Sequence, residues 1–408
     1  MELMNQPFTG QLGNRLIELL DCPDYHTLNI VVAFAKNSGV LRIKDSLESF
    51  RKRGGKVNAY VGVDLGGTSY EALTALLLHT DALNIVHSEK GQTFHAKIYQ
   101  FLGEGSGLIV VGSHNLTGGG LWTNFESSVH IPVNGVGENE ERTLSELSNY
   151  IGALTSLTDS IMSITKQDDI DKLLQNGYVF KEVAEQVRLA TASKKTEAQK
   201  NLFGNGIPAT IPRIAMPQVK EKATAIVTPQ ALVSTPQSDV GQTIWFETRE
   251  MTGGSRNILD LSKKSLVERG DPSGTPFDLG ETKIMRGGVE FFGLDPAATD
   301  RNKNITLNFE GEDYFTNTIL FPEGSNANGT WRLQIKGISS SGTRITDAFR
   351  AKGEADYLVR KIITFTKIQD DYFFMSVFAE SELENFKAAS YILARNGSTK
   401  NSRQLGLL

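Results

Sequence analysis

Cysteine is almost absent from this chain of 408 residues, which contains only Cys22. A single cysteine excludes an internal disulfide and a metal site built from several thiolates. No apolar run approaches the roughly 18 residues that a membrane-spanning helix needs. Residues 1–10 also lack the basic and then apolar pattern of a signal peptide. We therefore expect a protein of the reducing cytoplasm that does not associate with a membrane.

Positive charge is also in short supply, because 42 Lys and Arg stand against 47 Asp and Glu, for a formal net charge of -5. Affinity for nucleic acid depends on clustered cations, so any surface that binds it must be local. The chain has no Gly-x-x-x-x-Gly-Lys-[Ser/Thr] loop, so ATP use would have to come from another polypeptide.

Histidine is missing after position 130, which confines any imidazole chemistry to the first third of the chain. The six histidines are His26, His79, His87, His95, His114 and His130. His95 stands out because Lys97 follows it within an apolar run, and residues two apart in a strand point to the same face. An imidazole and an ammonium are therefore expected side by side.

A second apolar run, Leu108 to Val111, ends in polar residues at Ser113 and Asn115. The glycines at 118–120 allow a sharp turn or a close approach of the backbone to a ligand, and Glu126 adds a carboxylate. A nucleophile, a fixed cation, amide and hydroxyl donors and a carboxylate are what phosphodiester cleavage requires when no metal supplies the charge.

The order His-x-Lys, Gly-Ser-x-Asn and a later acid resembles the phospholipase D superfamily. More narrowly, it is similar to the nuclease domain of restriction endonucleases of the BfiI/NgoFVII type. Leu102 stands where many lipid-cleaving members carry Asp, which argues against the lipase branch. The catalytic residues that the resemblance implies are His95, Lys97, Ser113, Asn115 and Glu126.

The resemblance also implies a mechanism without a cofactor. One histidine attacks phosphorus to give a phosphohistidine, a second histidine protonates the leaving oxygen, and water completes hydrolysis. The chain has one His-x-Lys, and His114 is too close in sequence to the phosphate-holding turn to approach from the opposite side. We therefore expect a homodimer in which each protomer contributes His95 to one site.

Strand and helix patterns divide the chain into four parts. Residues 1–165 are expected to form an α/β domain of the phospholipase D type, a mixed sheet flanked by helices, and 166–205 a helical extension. Residues 206–241 hold five of the twelve prolines and are predicted to be a linker. Short β runs separated by turns, Val289–Gly293 among them, predict a mainly β, barrel-like domain over 242–408.

That β-rich part resembles, diffusely, the B3-like DNA-binding domain of the same restriction enzymes. Base reading favours Arg on guanine and Asn or Gln on adenine. The candidates for DNA binding are Arg249, Arg256, Asn257, Arg332, Lys336 and Arg344. The segment from Asn385 to Leu408 has basic residues and no acid, so it is expected to add backbone contacts.

The leading hypothesis is a sequence-specific, metal-independent endonuclease that cuts double-stranded DNA as a homodimer. One alternative is a nuclease subunit in a complex with a helicase or other ATPase, and a methyltransferase partner is also possible. The other alternative is a phospholipid or nucleotide phosphodiesterase.

Overall fold

The computed structural model describes residues 1–133, 138–193, 206–207, 209–216, 233–234, 242–250, 255–323, 329–352 and 356–408. They belong to two compact units. The first comprises Met1–Glu182 with Asn201–Asp239, and the second Val183–Lys200 with Val240–Leu408. Most of the predicted linker, 206–241, and the end of the predicted helical extension lie outside the described residues.

An eight-stranded mixed sheet forms the centre of the first unit. Its strands are β1 (Glu2–Gln6), β2 (Tyr25–Val32), β3 (Lys56–Gly62), β4 (Ala82–Val86), β5 (Lys97–Gly103), β6 (Gly107–Gly112), β7 (Glu126–Val133) and β8 (Ile161–Ile164). Their order is β1-β7-β6-β5-β2-β3-β4-β8. Strands β2, β3 and β4 pair in parallel, and the other pairs are antiparallel.

Helices cover the sheet, as the predicted mixed sheet flanked by helices requires. They are α1 (Leu12–Asp21), α2 (Asn37–Lys52), α3 (Tyr70–His79), α4 (Glu138–Thr155) and α5 (Gln167–Gln175), while α6 (Glu182–Ser193) belongs to the second unit from Val183 onward. Four of them, α1, α2, α3 and α5, bury apolar side chains in the main core on one face of the sheet. The apolar spacing of α1 is typical, because Leu12, Leu16 and Leu19 all lie on its buried side. Two short strands, β9 (Ala209–Thr210) and β10 (Val233–Ser234), form a separate pair.

Strand direction brings several chain segments to one edge of this sheet. The parallel strands β2, β3 and β4 all end there, β5 and β7 begin there, and β6 ends there. Opposed residues show the alignment, since Lys97 pairs with Val32 and Gly112 pairs with Ser128. Polar residues next to these strand ends are therefore neighbours in space.

The second face of the sheet is covered unevenly. Helix α4 packs Leu154 against Val31, which begins a row of directly opposed residues, Val31, Ile98, Val111, Val129 and Leu3. Opposed residues share a face, so this row crosses the sheet from β2 to β1. At its far end Val111 and Leu3 are 42% and 59% exposed. An apolar surface is therefore open beside the edge described above.

The second unit contains one eleven-stranded sheet. Its strands are β11 (Thr243–Glu247), β12 (Ile258–Leu261), β13 (Lys264–Arg269), β14 (Ile284–Arg286), β15 (Lys303–Phe309), β16 (Glu312–Leu320), β17 (Trp331–Gln334), β18 (Lys361–Gln369), β19 (Tyr372–Ala379), β20 (Ile392–Arg395) and β21 (Gln404–Leu407), with helices α7 (Ile345–Ala351) and α8 (Leu383–Ala389). The order is β12-β17-β16-β15-β19-β18-β11-β21-β20-β13-β14. Only β15 and β19 pair in parallel among these described strands.

The prediction of a barrel is wrong in that the described sheet does not close, since its end strands β12 and β14 do not pair. Strands β12 and β13 are nevertheless consecutive in the chain, so the sheet must curl until its two ends approach. Asn396 bridges this seam, donating from Nδ2 to the Asp260 carbonyl at 2.6 Å and accepting at Oδ1 from the Ser262 amide at 2.9 Å. Short alternating strands predict a curved sheet, but closure depends on strand stagger across the whole sheet.

The predicted strand at Val289–Gly293 is also wrong, because Gly288–Phe292 form a 3-10 turn. Val289, Phe291 and Phe292 are all buried, so the apolar run has the same composition as a buried strand. Gly293 ends the turn at φ 75, a left-handed conformation that glycine adopts without strain.

Among the described residues, no helix is both long and apolar enough to cross a membrane.

Candidate active site

His95 and Lys97 lie together at the sheet edge. Lys97 is the first residue of β5, and His95 precedes the strand in a segment whose Ala96 carbonyl accepts from the Ala33 amide at 2.8 Å. The Lys97 Nζ lies 2.9 Å from the His95 Nδ1 and donates to the His95 carbonyl, also at 2.9 Å. Because an ammonium only donates, Nδ1 is the acceptor here. The ring is exposed, so a substrate can reach it.

The Lys97 ammonium is held in a poorly hydrated place. The residue is 9% exposed, and burial lowers the pKa of Lys97 from its ordinary value, while the Glu126 carboxylate opposes that shift. A desolvated cation attracts an anion more strongly than a solvated one does, because the local dielectric is lower. The site therefore offers a fixed positive charge for a phosphate oxygen.

Asn115 is oriented by the segment that follows β2. Its Oδ1 accepts from the Phe34 amide at 3.2 Å, while Leu116 and the segment after β2 exchange backbone bonds, Leu116 N to Phe34 O and Lys36 N to Leu116 O, each at 3.0 Å. Since the carboxamide oxygen has a partner in the fold, the Nδ2 donors are the groups that Asn115 can offer to a ligand.

Glu126 and Ser113 also lie together. The Ser113 hydroxyl donates to one Glu126 oxygen, and Asn124 Nδ2 donates to the other at 3.2 Å. The Ser127 amide in turn donates to the Ser113 Oγ at 3.1 Å. A carboxylate at this place can orient a histidine, as the Asp of a Ser-His-Asp triad does, and that role of Glu126 is a prediction. Its hydrogen bonds here hold the Ser113 side of the site.

The glycine run shapes the loop that carries Asn115. A Cβ added to Gly120 would lie 2.4 Å from the Asn115 carbonyl oxygen, so only glycine allows this approach. Gly120 itself lies in a π-helical turn, Gly119–Thr123, that follows Asn115. His114 is buried in the same loop, where its Nδ1 donates to the Gly120 carbonyl at 2.7 Å, and burial lowers the pKa of His114. His114 therefore stabilises the loop as a neutral ring.

Two residues of this edge were not among the candidates from the sequence. Buried Gln6 donates from Nε2 to the carbonyls of Gly119, Gly120 and Asn124 at 3.2, 3.3 and 3.0 Å. Lys36 follows β2, and its Nζ donates to the Gly66 carbonyl at 3.2 Å. A lysine directly after the apolar run at 28–35 was a usable signal for Lys36, whereas Gln6 is more than a hundred residues from its partners.

The six predicted DNA-binding residues stay a prediction, and three of them face a carboxylate. Arg249 is 3.6 Å from Glu247, Arg256 is 2.8 Å from Asp356, and Arg332 is 3.7 Å from Asp260. The other three lie on neighbouring segments, since the Ile345 amide after Arg344 donates to the Gly337 carbonyl after Lys336 at 2.9 Å. Lys336 donates to Gln334 at 2.7 Å, the Asn257 carbonyl accepts from Ile335, and Arg344 precedes α7.

A cleft of about 840 Å³ lies in the second unit and includes one of these six, Arg249. Its lining is Glu247, Arg249, Glu250, Asp260, Thr330, Arg360, Glu380, Asn396, Asn401, Ser402 and Arg403. Four of these residues come from the connection between β20 and β21, and the Arg249 guanidinium donates to the Asn401 carbonyl at 3.1 Å.

Among the described residues, no three His, Cys, Asp or Glu side chains are grouped to hold one metal ion.

No protein-family model matches the chain, and no curated protein matches it. Similar solved structures include Nuc from Salmonella typhimurium, a phospholipase D family member, at 16% identity and a TM-score of 0.30, over 40% of this chain and 97% of that one. NucT from Helicobacter pylori is 14% identical with a TM-score of 0.29, over 40% and 98%. Phosphatidylserine synthase from Haemophilus influenzae Rd KW20 is 11% identical with a TM-score of 0.31, over 47% and 46%.

The variant Glu126→Gln tests the charge at this edge. Removing the carboxylate removes the group that opposes the effect of burial, so the pKa of Lys97 falls further. We expect the alkaline limb of the pH–rate profile to move to lower pH for any reaction that needs the charged Lys97. The loss of single-turnover rate relative to the wild type should therefore grow as the pH rises.

The matched control is Glu104→Gln, which changes an exposed carboxylate in the turn between β5 and β6, at the opposite edge of the sheet. Its profile should overlay that of the wild type. An unchanged alkaline limb in Glu126→Gln would separate the carboxylate from the function of Lys97.

Proposed function

We propose that this protein is a metal-independent endonuclease that hydrolyses phosphodiester bonds of double-stranded DNA at specific sequences. The observation that carries the proposal is the contact between His95 and the desolvated Lys97, with Asn115 held by the amide of Phe34, whose ring meets the His95 imidazole. These groups supply a nucleophile, a cation and a neutral donor around one position, which is the set that phosphoryl transfer needs.

The chemistry begins with attack of the His95 Nε2 on phosphorus. Attack through Nε2 requires the ring proton to be on Nδ1, where Lys97 now donates. A bound phosphate offers the ammonium an anionic acceptor, so Lys97 turns from Nδ1 to a non-bridging oxygen and keeps its bond to the His95 carbonyl. A nitrogen–phosphorus bond forms, the bond to the leaving oxygen breaks, and water later hydrolyses the phosphohistidine.

The proposal places two copies of the chain around one phosphate. A leaving oxygen needs a proton from the side opposite the nucleophile, and the single His-x-Lys supplies one imidazole per chain. The open apolar end of the sheet, with Val111 and Leu3, supports a second copy at this position. Phe8 and Phe125 add an exposed stacked pair, with ring centroids 5.7 Å apart, next to Glu126.

The second unit is proposed to read the DNA sequence through its cleft. Arg403 and Asn401 lie on the connection between β20 and β21 and present a guanidinium and a carboxamide, which are the groups that discriminate guanine and adenine. Arg249 lines the same cleft, whereas Arg256, Arg332, Lys336 and Arg344 do not. The expected partners beyond DNA, a helicase or ATPase and a methyltransferase, remain predictions.

Cleavage should persist in excess EDTA, because Lys97 and the Asn115 amide occupy the role of a metal cation. Purified protein is incubated with mixed-sequence DNA in EDTA, and products are followed on a gel. His95→Ala should abolish cleavage. His26→Ala, at the amino end of β2 and exposed, should cleave normally. Strict dependence on added Mg²⁺ would contradict the proposal.

Mixing experiments test the shared site. Heterodimers of wild type with His95→Ala, isolated through two different affinity tags, should be inactive or nearly so, because each composite site lacks one imidazole. Heterodimers with His26→Ala provide the control and should be fully active. Independent sites would instead leave about half the wild-type activity, and a monomer by sedimentation that cleaves DNA would refute the arrangement.

Arg403→Ala tests the cleft. A bidentate contact to a base contributes about 1–3 kcal/mol to discrimination, so the preference for specific over mixed DNA should fall by roughly tenfold or more in a competition assay. Arg301→Ala, an exposed arginine outside the cleft, is the control. An equal loss of affinity for every sequence would make Arg403 a phosphate contact.

A further inference from the structure

Both ends of the connection that carries His95 converge on one carboxylate. This connection, residues 87–96, joins β4 to β5. The Asp64 Oδ1 lies 2.7 Å from the Nδ1 of His87, the first residue after β4. The Asp64 Oδ2 accepts from the amide of Phe94 at 2.9 Å, one residue before His95.

The anchor at the His87 end is itself held on several sides. The His87 amide donates to the Ser160 carbonyl at 3.0 Å, and the ring meets Tyr178 edge to face with centroids 5.3 Å apart. Glu89 lies 3.8 Å from the other ring nitrogen, and the Tyr178 hydroxyl donates to Glu89. His87 is therefore a fixed point against which Asp64 can hold the Phe94 end of the connection.

Asp64 reaches both ends of the connection from a turn whose backbone conformation is strained. Its side chain is 10% exposed, and the next residue, Leu65, has φ 56, a left-handed conformation that costs a branched side chain energy. Such strain persists only where surrounding contacts fix it. The two hydrogen bonds of Asp64 and the bond from Lys36 to the Gly66 carbonyl are contacts of that kind.

The same turn touches the His95 ring by a second route. A Cβ on Gly67 would lie 2.1 Å from the Phe34 ring, so the turn packs directly on Phe34. Phe34 meets the His95 imidazole edge to face, with centroids 6.0 Å apart. The turn at 64–67 thus restrains the backbone before His95 through Phe94 and the side of its ring through Phe34.

We infer that Asp64 is a positioning residue that fixes the attack geometry of His95 by clamping the two ends of its connection. This inference rests on the proposed function, since it assigns a role in setting up His95 as nucleophile. A carboxylate suits the role because its two oxygens accept independently, one from an imidazole and one from an amide. Asp64 itself does not contact the reacting atoms.

The test compares Asp64→Ala and Asp64→Asn with a matched control, Asp81→Ala. Asp81 is also a carboxylate that accepts a backbone amide, from Val57 at 2.8 Å, and pairs with a cation, Arg51 at 3.1 Å, but it lies at the opposite edge of the sheet. Asparagine at 64 can still accept from Phe94 and can donate to the His87 ring. Thermal melts of all three variants report how much each change affects folding.

Two readouts do not depend on activity. Hydrogen exchange at the Phe94 amide should accelerate strongly in Asp64→Ala and remain near wild type in Asp64→Asn and Asp81→Ala. The imidazole resonances of labelled His95 should shift or broaden in Asp64→Ala alone. Unchanged exchange and resonances in Asp64→Ala would overturn the clamp even if the protein proved not to be a nuclease.

The kinetic readout uses bis(p-nitrophenyl) phosphate and DNA. Asp64→Ala should lower kcat on the order of 10–100-fold with KM nearly unchanged, because misplaced groups lose rate and not ground-state binding. Asp64→Asn should recover most of that loss, and Asp81→Ala should keep wild-type kcat despite any loss of stability. Equal kcat values for Asp64→Ala and Asp81→Ala would refute the inference.

The two proposals fail in different ways. If neither wild type nor His95→Ala cleaves any phosphodiester, the proposed function fails, whereas the exchange and resonance data still decide the clamp. If wild type cleaves and His95→Ala does not, normal kcat in Asp64→Ala overturns the clamp alone. A loss in His87→Ala as complete as in His95→Ala, with Asp64→Ala normal, would assign His87 to the chemistry and also overturn it.

Discussion

The antiparallel ladder between β5 and β2 is the constraint on which the site depends. Strand β2 belongs to a parallel set with β3 and β4, and a fourth parallel strand would begin at the far edge of the sheet. Because β5 runs the other way, Lys97 pairs with Val32 at the carboxyl end of β2. Residues that follow β2, β3, β4 and β6 and residues that precede β5 and β7 then lie at one edge of the sheet. The site therefore receives side chains from many separate segments.

At that edge, the polar side chains are held by hydrogen bonds within the fold and still keep a donor or a charge that a ligand can use. Asn115 uses its oxygen for Phe34 and keeps its amide donors, and Lys97 holds the His95 carbonyl while its ammonium remains available to an anion. Groups oriented by the fold before a substrate arrives need little reorganisation during reaction. This division also means that a substitution such as Asn115→Asp would change the ligand side without removing the acceptor that the backbone needs.

The part of the site that could be predicted from sequence is the part encoded by short spacings. The alternation that separates Lys97 from Phe94, Ala96 and Ile98 holds, because those three pack in the core on the second face of the sheet. His95 itself precedes the strand, which begins at Lys97. Asp64, His87 and Gln6 could not be found in this way, because each meets the site through chain segments far apart in sequence. The cleft in the second unit depends on the connection between β20 and β21, which the sequence marked only as basic.

Asn396 shows how closely recognition and architecture are combined in the second unit. It lines the cleft, yet both ends of its carboxamide are bonded to the segment of Asp260 and Ser262, which joins the chain after β20 to the β12 end of the curled sheet. A ligand that competed for this carboxamide would have to separate β12 from the segment that follows β20. The affinity for such a ligand would then be reduced by the free energy of opening the seam. The rigid wall at Asn396 therefore disfavours ligands that need its carboxamide, and selection by hydrogen bonding falls to its neighbours Asn401 and Arg403.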